Sequence, residues 1–159
     1  MMDIRLTTLS NLLGLIGTWE GEGKTYTSCA ESCDFEEKLT FEPINDVSVM
    51  KYVQKCVLKE GQKPLNMEFG FLYIQEDGTI KVNNAGDLGR VEVLKGNLFL
   101  RNDNFCAEFV SVKHKNDEAM VRSTRELYYN EKVLTYKLFI QTTDSSLYKC
   151  KEAILRRVH

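Results

Sequence analysis

The segment Gly17-Thr18-Trp19-Glu20-Gly21-Glu22-Gly23 constrains the fold of this chain more than any other. It opens a β-strand on the only tryptophan and continues with glycines, which let a strand bend sharply. Turn signals then recur at Glu60-Gly61, Glu76-Asp77-Gly78, Asn83-Asn84, Lys95-Gly96-Asn97, Lys115-Asn116-Asp117 and Asn130-Glu131. Between them lie segments of roughly 6 to 13 residues with strand-like alternation, the spacing of an all-β barrel or sandwich. Only residues 7 to 15 read as helical, a short turn ahead of Gly17.

Several strands declare two faces. Leu134, Tyr136, Leu138, Ile140 and Thr142 share one side of their segment, and Lys137, Phe139 and Gln141 share the other. Phe35, Leu39 and Phe41 alternate with Glu36, Lys38 and Thr40. Met50, Tyr52, Cys56 and Leu58 lie opposite Lys51, Lys55 and Lys59. Strands with one dry face are antiparallel in habit. About ten of them with short connections close most simply into an up-and-down barrel, which removes exposed edges. The expected fold is therefore all-β: one closed antiparallel barrel spanning residues 1–159, with a short N-terminal helical turn. A barrel of this strand number has room for a small ligand, and a solid interior is the alternative.

Charge and composition narrow the function classes. With 21 basic and 23 acidic side chains the net charge is -2, which does not indicate a phosphate-neutralising surface, so no nucleic-acid partner is expected. The first thirteen residues are broken by Asp3, Arg5, Thr7, Thr8, Ser10 and Asn11 and do not read as a signal peptide. No apolar run approaches membrane-spanning length, and no membrane partner is expected. Five cysteines cannot all pair, which suggests reduced thiols and a cytoplasmic location. Cys29 and Cys33 are spaced C-x3-C without a neighbouring Cys/His pair to complete a zinc site, and read as loop thiols.

The inward faces offer apolar (Met50, Leu58, Leu138, Ile140), hydroxylated (Tyr52, Tyr136, Thr142) and thiol (Cys56, Cys150) groups, the lining of a binding cavity. No catalytic motif is present. The two histidines, His114 beside a turn and His159 at the last position, read as surface side chains. In the last strand Tyr148, Cys150, Glu152 and Ile154 fall on one face and Lys149, Lys151 and Ala153 on the other. Solvent-seeking lysines then put Cys150 inward, either as a small buried side chain or as a thiolate ligand to a metal or haem iron. Glu152 beside it would disfavour the thiolate. In the segment Met120 to Tyr129, Arg122 shares a face with Met120, Thr124 and Tyr128. Arg122 and Arg125 could each fix a ligand carboxylate if inward, and Arg122 is the preferred candidate. Trp19 should plug the closed end under Arg156 or Arg157.

Taken together, the Gly17–Gly23 segment, Tyr52-Val53-Gln54-Lys55, Lys63-Pro64 followed by Glu68-Phe69-Gly70-Phe71, Gly89-Arg90-Val91-Glu92-Val93-Leu94-Lys95-Gly96 and Thr142-Thr143 resemble the nitrobindin family from Leu13 to Val158. The resemblance implies a ten-stranded barrel related to lipocalins and fatty-acid-binding proteins. Its members bind ferric haem b in the barrel mouth, handle nitric oxide and are credited with isomerising peroxynitrite to nitrate. Their iron-binding histidine, counted from Thr142-Thr143, corresponds to Cys150, and a second pocket histidine to Asn66, with Leu65 beside it. Ile140 falls where a pocket methionine lies. Both imidazoles are replaced. A cysteine must lose its proton to bind iron, and asparagine is no axial ligand.

The expected function is thus an intracellular barrel holding a small hydrophobic ligand such as a fatty acid, a porphyrin or another lipid. Its expected pocket is Met50, Tyr52, Leu65, Asn66, Arg122, Ile140 and Cys150, with Gly17, Trp19 and Arg156 structural. Haem b is the cofactor by resemblance only. The alternative is a ferric-haem peroxynitrite isomerase with Cys150 as thiolate ligand. A third class is an interaction domain with a filled interior, and a homodimer stays open.

Overall fold

A computed structural model describes residues 3–44 and 46–158. A helix, α1 (Ile4–Leu12), continues into a single tighter turn at Leu13–Leu15. Ten strands follow: β1 (Gly17–Tyr26), β2 (Ser32–Ile44), β3 (Asp46–Leu58), β4 (Pro64–Ile74), β5 (Ile80–Gly86), β6 (Val91–Arg101), β7 (Asn104–Lys115), β8 (Met120–Tyr129), β9 (Val133–Thr142) and β10 (Tyr148–Arg157). Each pairs antiparallel with its sequence neighbours, and β1 pairs with β10, closing the barrel. The helix begins earlier than its sequence pattern suggests because Asp3 caps it, its Oδ1 accepting from the Arg5 amide at 2.9 Å.

Two expected turns are interior strand positions. Asn83-Asn84 lies in β5, where Asn84 points inward and accepts the Tyr52 hydroxyl at 2.8 Å. Lys95-Gly96-Asn97 lies in β6, where Gly96 lets the Phe109 ring and the β7 backbone close over it. The chain turns instead at residues 87–90 and 102–103.

The helical segment closes one end. Trp19 is fully buried beside Leu12 and Leu15, and its indole N–H donates to the Leu15 carbonyl at 2.9 Å. Tyr129 meets the indole edge-on at 6.1 Å, and Phe105 stacks on Tyr129 at 4.6 Å. Arg157 lies 4.3 Å over the indole and donates to the carbonyls of Ile16 (2.8 Å) and Gly14 (2.5 Å). Gly17 joins helix to barrel at φ +128°, a conformation that favours glycine. The cap on Trp19 is Arg157 and not Arg156, which is exposed opposite Glu20.

That correction and two others trace to β-bulges. In β10 the pairing steps from Lys149↔Phe139 to Lys151↔Leu138, so Cys150 is an extra residue and the alternation inverts after it. Lys151, Ala153 and Leu155 are buried, while Ile154 and Arg156 are exposed and Glu152 bonds outward to Tyr26 (2.6 Å) and Lys149 (2.8 Å). In β8 the pairing steps from Met120↔Thr142 to Arg122↔Gln141, making Val121 the extra residue. Arg122 is therefore exposed, and Ser123 and Arg125 turn inward.

Among the described residues no helix is long and apolar enough to cross a membrane. All five cysteines are unpaired, and Cys29 and Cys33 are exposed.

Candidate functional site

Opposite the helical plug, the barrel opens onto a cavity of about 490 Å³. Its rim includes Tyr26, Leu88, Asn116, Asp117 and Tyr148. Leu39, Phe41, Leu72, Val82, Leu94 and Phe109 supply an apolar lining, with Leu138 and Ile140 from β9. The volume lies within the range of about 300–1,000 Å³ that small-molecule sites occupy.

Two polar networks stand in this otherwise apolar interior. In the first, Arg125 grips Glu68 with both terminal nitrogens (3.1 and 3.3 Å) and reaches Glu92 at 3.1 Å. Glu92 also accepts the Ser123 hydroxyl at 3.0 Å and lies 3.6 Å from Arg90, which pairs with Asp117 at 3.2 Å on the rim. Burial works against the Glu68 charge, but the guanidinium and its hydrogen bonds win and hold that carboxyl below the usual range. The buried Arg125 Nε has no partner among the described residues.

In the second network, Glu37 Oε1 accepts from Gln54 (3.1 Å), Cys56 (3.1 Å) and the Tyr136 hydroxyl, while Oε2 is buried without a partner. Burial pushes the Glu37 carboxyl up, against the pull of Lys151 and Tyr136. Lys151 donates to Asn66 Oδ1 at 2.8 Å and Cys56 Sγ at 3.1 Å, with its nitrogen 4.9 Å from the centre of the Phe35 ring.

Of the residues expected at the site, Tyr52, Asn66, Ile140 and Cys150 line the cavity. Met50 is buried in the core, outside the lining, and Leu65 packs half-buried against that core. Arg122 is on the outer surface, and the arginine at the cavity is Arg125. Arg125 was the second choice behind Arg122, while Glu37, Glu68 and Lys151 were not anticipated. Strict alternation finds the two glutamates, since Glu37 shares parity with Phe35 and Leu39, and Glu68 with Leu72 and Ile74.

The chain matches the THAP4-like, heme-binding beta-barrel domain over residues 8–157. It belongs to that family. A protein of Arabidopsis thaliana named peroxynitrite isomerase Rv2717c is 28% identical over 149 residues, covering 91% of this chain and 85% of that one. A peroxynitrite isomerase of Nocardia farcinica is 25% identical over 103 residues, 65% and 61% of the two chains. The crystal structure of Rv2717c from M. tuberculosis superposes with a TM-score of 0.88 at 20% identity over 96% of this chain and 98% of that one.

The donor set at this family member's cavity does not fit a histidine-ligated haem. No histidine lines it among the described residues, since His114 lies half-buried on β7 outside the lining. His159 lies outside the described residues. The thiol at the wall, Cys150, is pushed up to about 11 by burial, against the opposing pull of Arg125, Lys151 and Arg90. Iron binding there would have to displace the thiol proton. Buried Cys56 is raised further, by desolvation and by Glu37.

Proposed function

We propose that this barrel binds a small hydrophobic ligand in the cavity at its open end and does not hold haem through the axial bond its relatives use. The observation that carries this reading is a cavity lining with no histidine among the described residues, in which Cys150 stands at the position the resemblance assigns to the axial histidine. The apolar floor and the cavity volume support ligand binding over a purely structural barrel. With no axial ligand of ordinary affinity, peroxynitrite isomerisation is not the activity proposed.

Titration of the purified protein with hemin, followed through the Soret band, tests the reading. The expected result is no saturating shift at one-to-one stoichiometry. A saturating shift that disappears in Cys150→Ala would establish thiolate ligation and overturn the proposal in favour of a ferric-haem protein.

A further inference from the structure

Lysine is almost never fully buried unless its charge is paired. Lys151 is 6% exposed, yet it takes part in no ion pair among the described residues. Its two hydrogen-bond acceptors are a thiol sulfur and an amide oxygen, and its third neighbour is the face of the Phe35 ring. These contacts solvate an ammonium without neutralising it. The nearby carboxyl, Glu37, takes hydrogen bonds from Gln54, Cys56 and Tyr136 at Oε1 and makes no ion pair with Lys151.

The two arginines at the cavity are ion-paired, Arg125 with Glu68 and Glu92, and Arg90 with Glu92 and Asp117. Lys151 lines the same cavity without such a pair. Arg125 Nε is a second buried donor without a partner, and Arg125 also lines the cavity. The Cys150 thiol lines the same cavity as Arg125, Lys151 and Arg90.

We infer that the ligand of this cavity is an amphipathic monocarboxylate, its acid group held by Lys151 and the free Nε of Arg125 beside Cys150, and its apolar body lying against Leu39, Phe41, Leu72 and Phe109. The carboxylate supplies the direct ion-pair partner that Lys151 lacks and an acceptor for Arg125 Nε. The apolar body replaces water on the floor. A neutral alcohol of the same length fills the same volume and can accept a hydrogen bond but brings no charge to Lys151, which is the source of the discrimination. This inference rests on the proposed binding function and adds to it the class of ligand.

Calorimetric titration of the full chain with decanoate and with 1-decanol separates the two levels. Decanoate should bind about tenfold or more tightly than decanol, as expected for a charge-assisted contact in a dry site. In Lys151→Met that preference should fall to about twofold or less, and in Lys151→Arg, which keeps the charge, a preference should survive. Equal affinities in the wild type, or an undiminished preference in folded Lys151→Met, would overturn the inference while leaving ligand binding intact. Binding of neither compound would overturn both. Should Lys151→Met fail to fold, judged by Trp19 emission, Lys151→Gln supplies the uncharged comparison with an amide that can still bond to Asn66.

Discussion

Arg125→Met removes the one guanidinium that Glu68 and Glu92 share inside the barrel, and its cost follows from what is left behind. Methionine retains most of the side-chain bulk, so the loss comes from charge rather than from a void. Breaking a buried ion pair by deleting one partner costs about 3–5 kcal/mol, because the other partner stays buried without compensation. The Arg125 side chain is 21% exposed, so water softens the effect, while the Glu68 and Glu92 side chains are 10% and 1% exposed. A loss of about 3 kcal/mol at pH 7 is expected, a large share of the roughly 5–15 kcal/mol that holds a domain together. Urea unfolding reports it cleanly, since Trp19 is the only tryptophan and is fully buried in the plug.

The pH dependence gives a second check. In the wild type the folded Glu68 value is depressed, so its contribution is present above the unfolded value of about 4.3 and is lost as pH falls through the folded value. In Arg125→Met only the weaker pull of Lys151 and Asn84 still opposes burial, and the folded Glu68 value should rise above the unfolded one. The variant therefore regains relative stability as pH falls from 7 toward 5, and the gap to the wild type narrows. Adding Glu68→Gln should recover part of the loss at pH 7. A cost below about 1 kcal/mol at pH 7, or a gap that stays constant down to pH 5, would refute the account of a shared buried counter-ion.

Other parts of the structure are open to equally direct tests. Trp19→Ala empties the plug under Arg157 and should cost about 3–5 kcal/mol in thermal or chemical unfolding followed by circular dichroism; a loss under about 1 kcal/mol would remove its structural role. Cys150→His places an imidazole on the cavity wall, and hemin should then give the saturating Soret shift not expected of the wild type; an unchanged spectrum would show that more than the axial donor prevents haem binding. Glu37→Gln mimics the protonated acid. Because the folded Glu37 value is raised, its stabilising effect is full below the unfolded value and is lost as pH rises through the folded one. The variant should therefore gain on the wild type between pH 5 and pH 8 in urea midpoints, and parallel pH profiles would count against a raised Glu37.

The barrel was legible because its signals are local. A tryptophan leading a glycine-rich strand, alternation in β2, β3 and β9, and short connections are each properties of a few neighbouring residues, and together they left a closed antiparallel barrel as the simplest arrangement. The turns misplaced at Asn83-Asn84 and Lys95-Gly96-Asn97 show the limit of that reasoning. Asparagine and glycine also serve inside a strand when a tyrosine hydroxyl needs an acceptor or when a phenylalanine ring must close over the backbone.

The site was less legible for two distinct physical reasons. Glu37 and Glu68 obey alternation, and were passed over because carboxylates are expected in water; parity outranks polarity when a network is available to receive the charge. Lys151 and Arg125 could not be placed by alternation at all, because a bulge precedes each of them and reverses the faces downstream. Nothing in the hydropathy of Tyr148-Lys149-Cys150-Lys151 marks the extra residue, whose position is set by pairing with β9. Yet the bulge is what builds the wall. Successive residues of a regular strand face opposite sides, so Cys150 and Lys151 can both line the cavity only where that rule is broken. The irregularity that hid Lys151 from the sequence also sets a buried lysine without an ion pair next to the Cys150 thiol, at the position where the family resemblance calls for an imidazole.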